Sequence, residues 1–238
     1  MSEWELPKTV EVVSTERVST GGYLWESGVY KSQIKMVYLD QAKSGAVSFN
    51  IILTNDEGKE LREAMYIKSG NAKGNKTYYE KDGKQYPLPG YATANSMCVA
   101  ATGKGLPECM QSIEKKMVNV YNVEAKKELP TERPVVMSLL GQTVTAAVHE
   151  VVEDKNIKNA AGEYVPSGET RSRNECKFFG NAAGLTAEEI QSGSEASKFK
   201  QWAEKNSGKK VDRSTGAAAA SSTPAMASPA PSASSMFS

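Results

Sequence analysis

Between Gly28 and Lys68 the chain alternates apolar and polar residues with a period of two. That is the spacing of half-buried strands, and it argues against an amphipathic helix there. The alternation divides into three antiparallel strands, about Val29 to Leu39, Ala46 to Leu53 and Glu60 to Lys68, with turn residues at Lys43-Ser44-Gly45 and Asn55-Asp56-Glu57-Gly58. Links this short make a meander. Val47, Phe49, Ile51 and Leu53 share one face of the second strand, and Leu61, Met65 and Ile67 fall together on the third. These are the expected core faces. The opposite faces collect Lys31, Gln33 and Lys35, then Asn50, then Arg62, Tyr66 and Lys68, so one side of the sheet is expected to be basic and aromatic.

Regularity breaks over residues 69 to 91, where Gly70, Gly74, Gly83, Pro87, Pro89 and Gly90 mark a long loop. Within it Asp82-Gly83, flanked by Tyr78-Tyr79 and Gln85-Tyr86, predicts a small hairpin. Ala92 to Thr102, ended by Gly103, reads as a short helix, and Pro107 to Met117 as another helical piece. Residues 118 to 136 carry conflicting signals: Val118, Val120 and Val123 suit a strand, whereas Lys126-Lys127-Glu128, Pro130 and Pro134 suit a loop. The β-branched run from Gly141 to Val152 predicts a strand along which Tyr164 to Phe179 returns, across a polar link at 156 to 162. Thr186 and Glu189 form a capping box for a helix that stops near Gly193 and restarts over Glu195 to Lys205. Residues 214 to 238 hold no charge and are almost wholly Ala, Ser, Pro, Thr and Gly, a composition that buries too little surface to offset its ordering entropy. The expected organisation is a mainly β domain with a few short helices over residues 1–207 and a disordered tail over 208–238.

Lysine and arginine number 29 against 28 acids, for a net charge of +1. There is no bulk attraction to a polyanion, and any such site must come from local charge segregation. No run approaches the roughly 20 apolar residues of a membrane-spanning helix, and Met1-Ser2-Glu3-Trp4-Glu5 lacks a charged-then-apolar leader. A cytoplasmic protein without a membrane partner is expected. Cys98, Cys109 and Cys176 are odd in number and without CxxC spacing, which indicates neither a disulfide framework nor a zinc knuckle.

Enzyme signatures fail on spacing or on missing partners. The sole histidine, His149, lies in the β-branched run with no nearby GxSxG elbow and reads as an ordinary strand residue. Gly70 to Thr77 imitates a phosphate-binding loop, but its glycine spacing is one residue short and Asn75 separates Gly74 from Lys76. Glu124-Ala125-Lys126 fits the loose acid-x-lysine pattern of metal-dependent nucleases, yet it lacks an identifiable partner acid and reads as a solvated pair. No catalytic residue, metal site or cofactor is expected.

A binding constellation is better supported. Lys68, Lys73, Lys76, Lys81 and Lys84 face only Glu80 and Asp82 in the same stretch, and Tyr66, Tyr78, Tyr79, Tyr86 and Tyr91 are interleaved with them. Lysines neutralise phosphates with counterion release, and exposed rings stack on bases at about 1–3 kcal/mol each. A duplex hides its base faces, so the mixture favours a single strand. The competing reading is a solvated loop whose tyrosines pack at the rim of the fold. Arg171, Arg173 and Lys177 on the late strand either extend the basic track or form a solvated edge.

Four landmarks carry a family likeness: Gly28-Val29-Tyr30-Lys31; Ser48-Phe49-Asn50-Ile51-Ile52-Leu53; the helix ending at Ala101-Thr102-Gly103; and Leu139-Leu140-Gly141-Gln142-Thr143-Val144. In this order, over about residues 18 to 180, the chain resembles small phage-encoded single-stranded DNA-binding proteins with OB-like folds. The resemblance implies a partly open β-barrel that holds single-stranded DNA during phage replication or recombination, alongside replication or recombination proteins. Its ligand-facing candidates here are Lys31, Lys35, Tyr66, Lys68 and the lysine-tyrosine loop, with Arg62 beside them. The tail departs from the pattern of many such proteins, since it has Phe237 but no acids. A non-enzymatic phage structural or assembly protein is the alternative.

Overall fold

The computed structural model describes residues 24–122, 125–160 and 164–215. In chain order these form β1 (Gly28–Gln41), β2 (Val47–Asn55), β3 (Glu60–Lys68), β4 (Tyr78–Lys81), β5 (Lys84–Pro87), α1 (Pro89–Thr102) and α2 (Leu106–Cys109). Then follow β6 (Ile113–Asn122), β7 (Lys127–Val136), β8 (Thr143–Lys158), β9 (Tyr164–Asn181), α3 (Ala187–Ser192), α4 (Lys198–Asn206) and β10 (Lys210–Asp212). The chain is mainly β with short helices, as the alternation predicts. No helix among the described residues is long and apolar enough to cross a membrane.

The meander forms with the expected turns, and its hydrogen-bonded order continues as β10-β8-β1-β2-β3, with β9 beside β8. Phe49, Ile51 and Leu53 meet Leu61, Met65 and Ile67 in the core, joined by Ile34 and Val37 from β1, Val144, Ala146 and Val148 from β8, and Phe179 from β9. Each large apolar side chain buried there contributes about 1.5–3 kcal/mol. A bulge between Ile34 and Met36 lets β1 keep apolar residues inward on both sides of Lys35. Helix α1 sends Ala94, Met97 and Cys98 into the same core, between β3 and β9. The sheet does not close: among the described residues no backbone ladder joins β3 to β9, and the Cys176 N–H donates instead to Glu63 Oε2 at 2.8 Å.

Two expectations are corrected, and one stretch of conflicting signals is resolved. The helical piece expected over Pro107 to Met117 ends by Ser112, because Ile113 begins β6 and pairs along its whole length with β7. Of the stretch with conflicting signals, residues 118–122 and 127–136 supply most of this two-stranded ribbon; Pro130 and Pro134 are accommodated because β7 has few ladder contacts besides those to β6. The described chain also continues beyond Ser207, where Lys210–Asp212 pairs in parallel with Glu150, Val151 and Val152 of β8. Residues 216–238, with the Phe237 end of the tail, lie outside the described residues.

Candidate nucleic-acid interface

The open seam between β3 and β9 is a groove of about 690 Å³. Strand β3 supplies Glu63, Tyr66 and Lys68; the segment after it supplies Gly70 and Lys73; the start of α1 supplies Pro89, Gly90 and Thr93; β9 supplies Arg173, Glu175, Cys176 and Lys177. Tyr66, Lys68 and Lys73, expected as ligand contacts, thus come together with Arg173 and Lys177 of the late strand. Tyr66 is 57% exposed, which leaves its ring open to a ligand.

Burial raises the pKa of the Glu63 carboxyl, an effect only partly offset by the hydrogen bond from Cys176. Burial also raises that of Glu175, but hydrogen bonds from Arg213 and Lys177 outweigh it and hold the group at about 2. His149 is pushed down by burial and by nearby Lys177. The thiols of Cys98 and Cys176 are pushed up, chiefly by burial, so neither is poised as a nucleophile. Among the described residues no three His, Cys, Asp or Glu side chains are grouped to hold a metal ion. The nuclease-like Glu124 lies outside the described residues.

The hairpin β4–β5 forms at Asp82-Gly83, both with positive φ, as a tight hairpin turn requires. Tyr79 and Tyr86 face each other across it and stack, with centroids 5.6 Å apart, so each ring covers one face of the other. Lys76 sits over the Tyr78 ring at 5.2 Å and pairs with Glu80 at 3.0 Å. Lys81 and Lys84 are opposed beside the turn and exposed. Tyr91, on α1, packs against the core.

The remaining candidates lie elsewhere. Lys31 lines a smaller hollow of about 290 Å³ with Gln33, Asn55 and Thr143. Lys35 pairs with Glu60, and Arg62 pairs with Glu60 and Glu128. The β6–β7 ribbon reaches across this outer face, from Arg133 paired with Asp40 on β1 to Glu128 paired with Arg62 on β3. Ile52, which shares that face with Asn50, is consequently buried, as is Val118 on the ribbon. The basic and aromatic face expected from alternation is therefore partly neutralised and partly covered.

No protein-family model matches the chain, and no curated protein matches it.

Two residues, one in the seam and one beside it, are not legible in the sequence. Glu175 looks like one acid among bases, and Arg213 falls beyond the expected end of the domain. Their fork, with Arg213 Nη1 2.8 Å from Glu175 Oε2, depends on β10 joining the sheet.

Proposed function

We propose that the chain binds single-stranded DNA without sequence preference, by electrostatics and stacking and with no chemical step. One observation carries this reading: a groove at an open sheet edge brings an exposed tyrosine together with four cations, Lys68, Lys73, Arg173 and Lys177. In this reading the curled sheet is an OB-like barrel left open at the β3–β9 seam, as the resemblance to phage single-stranded DNA-binding proteins implies. The strand lies along the seam with its phosphates toward the cations and a base on Tyr66, while the stacked tyrosines of the hairpin flank the path. The setting is phage replication or recombination in the host cytoplasm.

Fluorescence anisotropy of a labelled oligothymidine, with a matched duplex as control, tests the proposal. Tight binding to the single strand, weak binding to duplex and a steep loss with salt are expected. Tyr66→Ala should weaken single-strand binding by about 5- to 150-fold, the equivalent of 1–3 kcal/mol of stacking, with little change in melting temperature. Absence of binding at low salt would overturn the proposal.

A further inference from the structure

Three cations converge on one carboxylate at the β9 side of the seam. Lys177 Nζ lies 2.9 Å from Glu175 Oε1 and Arg173 Nη2 lies 3.2 Å from Oε2. Arg213 bridges both oxygens, with Nη1 2.8 Å from Oε2 and Nη2 3.2 Å from Oε1. Neighbouring Glu153 pairs with Arg171 at 2.8 Å and also takes Arg173 Nε at 2.9 Å. The cluster therefore sets four cations against two acids and keeps two positive charges in excess.

Both oxygens of Glu175 are engaged, and its side chain is only 17% exposed. Its partners do not share this burial: Lys177 and Arg213 are 38% and 44% exposed. Donors that retain solvent access, gathered around an anion in a groove wall, are what a phosphate oxygen would need. Lys177 gives Glu175 one of its three N–H donors and Arg213 two of its five, so donors on their exposed sides can meet an incoming anion without Glu175 being released.

We propose that Arg173, Lys177 and Arg213 form a phosphodiester-binding site in which Glu175 is the resident counterion. The site extends the seam beyond its wall to a residue contributed by the chain after β10. This inference rests on the single-strand reading for its ligand, but the anion site itself is independent of it. Glu175 holds the cations in place and lowers the potential that a phosphate meets there, so it limits affinity.

The test uses the full chain and three variants, Glu175→Gln, Glu175→Asp and Arg213→Gln, with two probes: the labelled oligothymidine at several salt concentrations, and pyrophosphate followed by the shift in melting temperature. Glu175→Gln should tighten oligothymidine binding about 3- to 10-fold at low salt and steepen the salt slope, and Glu175→Asp, which keeps the negative charge, should tighten it less than Glu175→Gln does. Arg213→Gln should weaken binding and make the slope shallower by about 0.7, one phosphate contact on a single strand. Pyrophosphate should stabilise Glu175→Gln more than the native chain, and Arg213→Gln least.

Native oligothymidine binding combined with unchanged affinity and slope in Glu175→Gln would overturn the proposal and leave the single-strand reading intact. Failure of native binding combined with the pyrophosphate ranking just given would support the anion site and sink the single-strand reading. If Glu175→Gln does not fold, Arg213→Gln decides, and a slope equal to the native one overturns the proposal.

Discussion

A Cβ added to Gly90 would stand 2.4 Å from the backbone oxygen of Tyr66 and 2.7 Å from its nitrogen. The obstacle is backbone and cannot swing aside, so α1 reaches β3 this closely only where a side chain is missing. Gly90→Ala is expected to cost about 1–3 kcal/mol and to lower the melting temperature by about 2–12 °C in a thermal denaturation experiment. Glu189 is the other residue whose local geometry has wide consequences. Its Oε2 accepts from the Thr186 N–H and hydroxyl, both at 2.8 Å, while Oε1 accepts from the Ser197 and Lys198 N–H groups at 2.8 and 3.0 Å. One carboxylate thus caps α3 and the start of α4. Burial alone would raise its pKa, but the hydrogen bonds from Thr186, Ser197 and Lys198 hold it at about 2. Its folded-state pKa is below the unfolded value, so the stability it contributes is present above about pH 4.5 and is lost as pH falls toward 2. Glu189→Gln should flatten that acid limb in melting curves recorded across pH, and Glu189→Ala should cost about 2–3 kcal/mol. The first cap was legible in the sequence because Thr186 and Glu189 are three residues apart. The second was not, since no pattern links Glu189 to backbone groups eight and nine positions later.

Among the elements, β10 is the shortest, yet it ties distant parts of the chain together. It pairs with β8 on the edge that β1 occupies up to Gly28, and Gly208 N–H donates to Ser27 O at 2.8 Å. Lys210 reaches the buried Glu150 at 2.6 Å, and Arg213 reaches Glu175. A chain ended after Ser207 loses all of these, whereas one ended after Thr215 keeps them. The shorter truncation is expected to melt about 4–8 °C below the longer one, corresponding to about 2 kcal/mol; equal melting temperatures would show that β10 contributes nothing. Strands with a strict period of two were readable directly, down to the core face of β2. The segments that read less well are those whose partner is remote or whose local signals conflict: the start of β6 carries a helical pattern, and three residues of β10 are too few to show any period. In both, pairing with an existing strand supplies the stability that local propensity lacks.

At the scale of the whole molecule, the candidate site is a product of closure that stops short. The sequence supplied Tyr66, Lys68 and Lys73 from one segment and flagged Arg173 and Lys177 about 100 positions later, but only the curl of the sheet brings them to one groove. The same fold withdraws Arg62 and Lys35 into ion pairs and turns Tyr91 to the core. These rearrangements change the number of phosphates that the chain can neutralise, and that number is measurable. Counterion release from a single strand gives a slope of log affinity on log salt of about −0.7 per phosphate contact. A strand confined to the seam meets Lys68, Lys73, Arg173 and Lys177, and Arg213 just beyond its wall, so the slope should be near −3.5. One that ran over all eight basic candidates read from the sequence, from Lys31 to Lys84, would give a slope near −6. Lys81→Gln with Lys84→Gln separates the two paths. Confinement to the seam requires that the double variant keep the native slope, because neither lysine lines the groove. A slope reduced by about 1.4 would instead carry the strand across the tip of the β4–β5 hairpin.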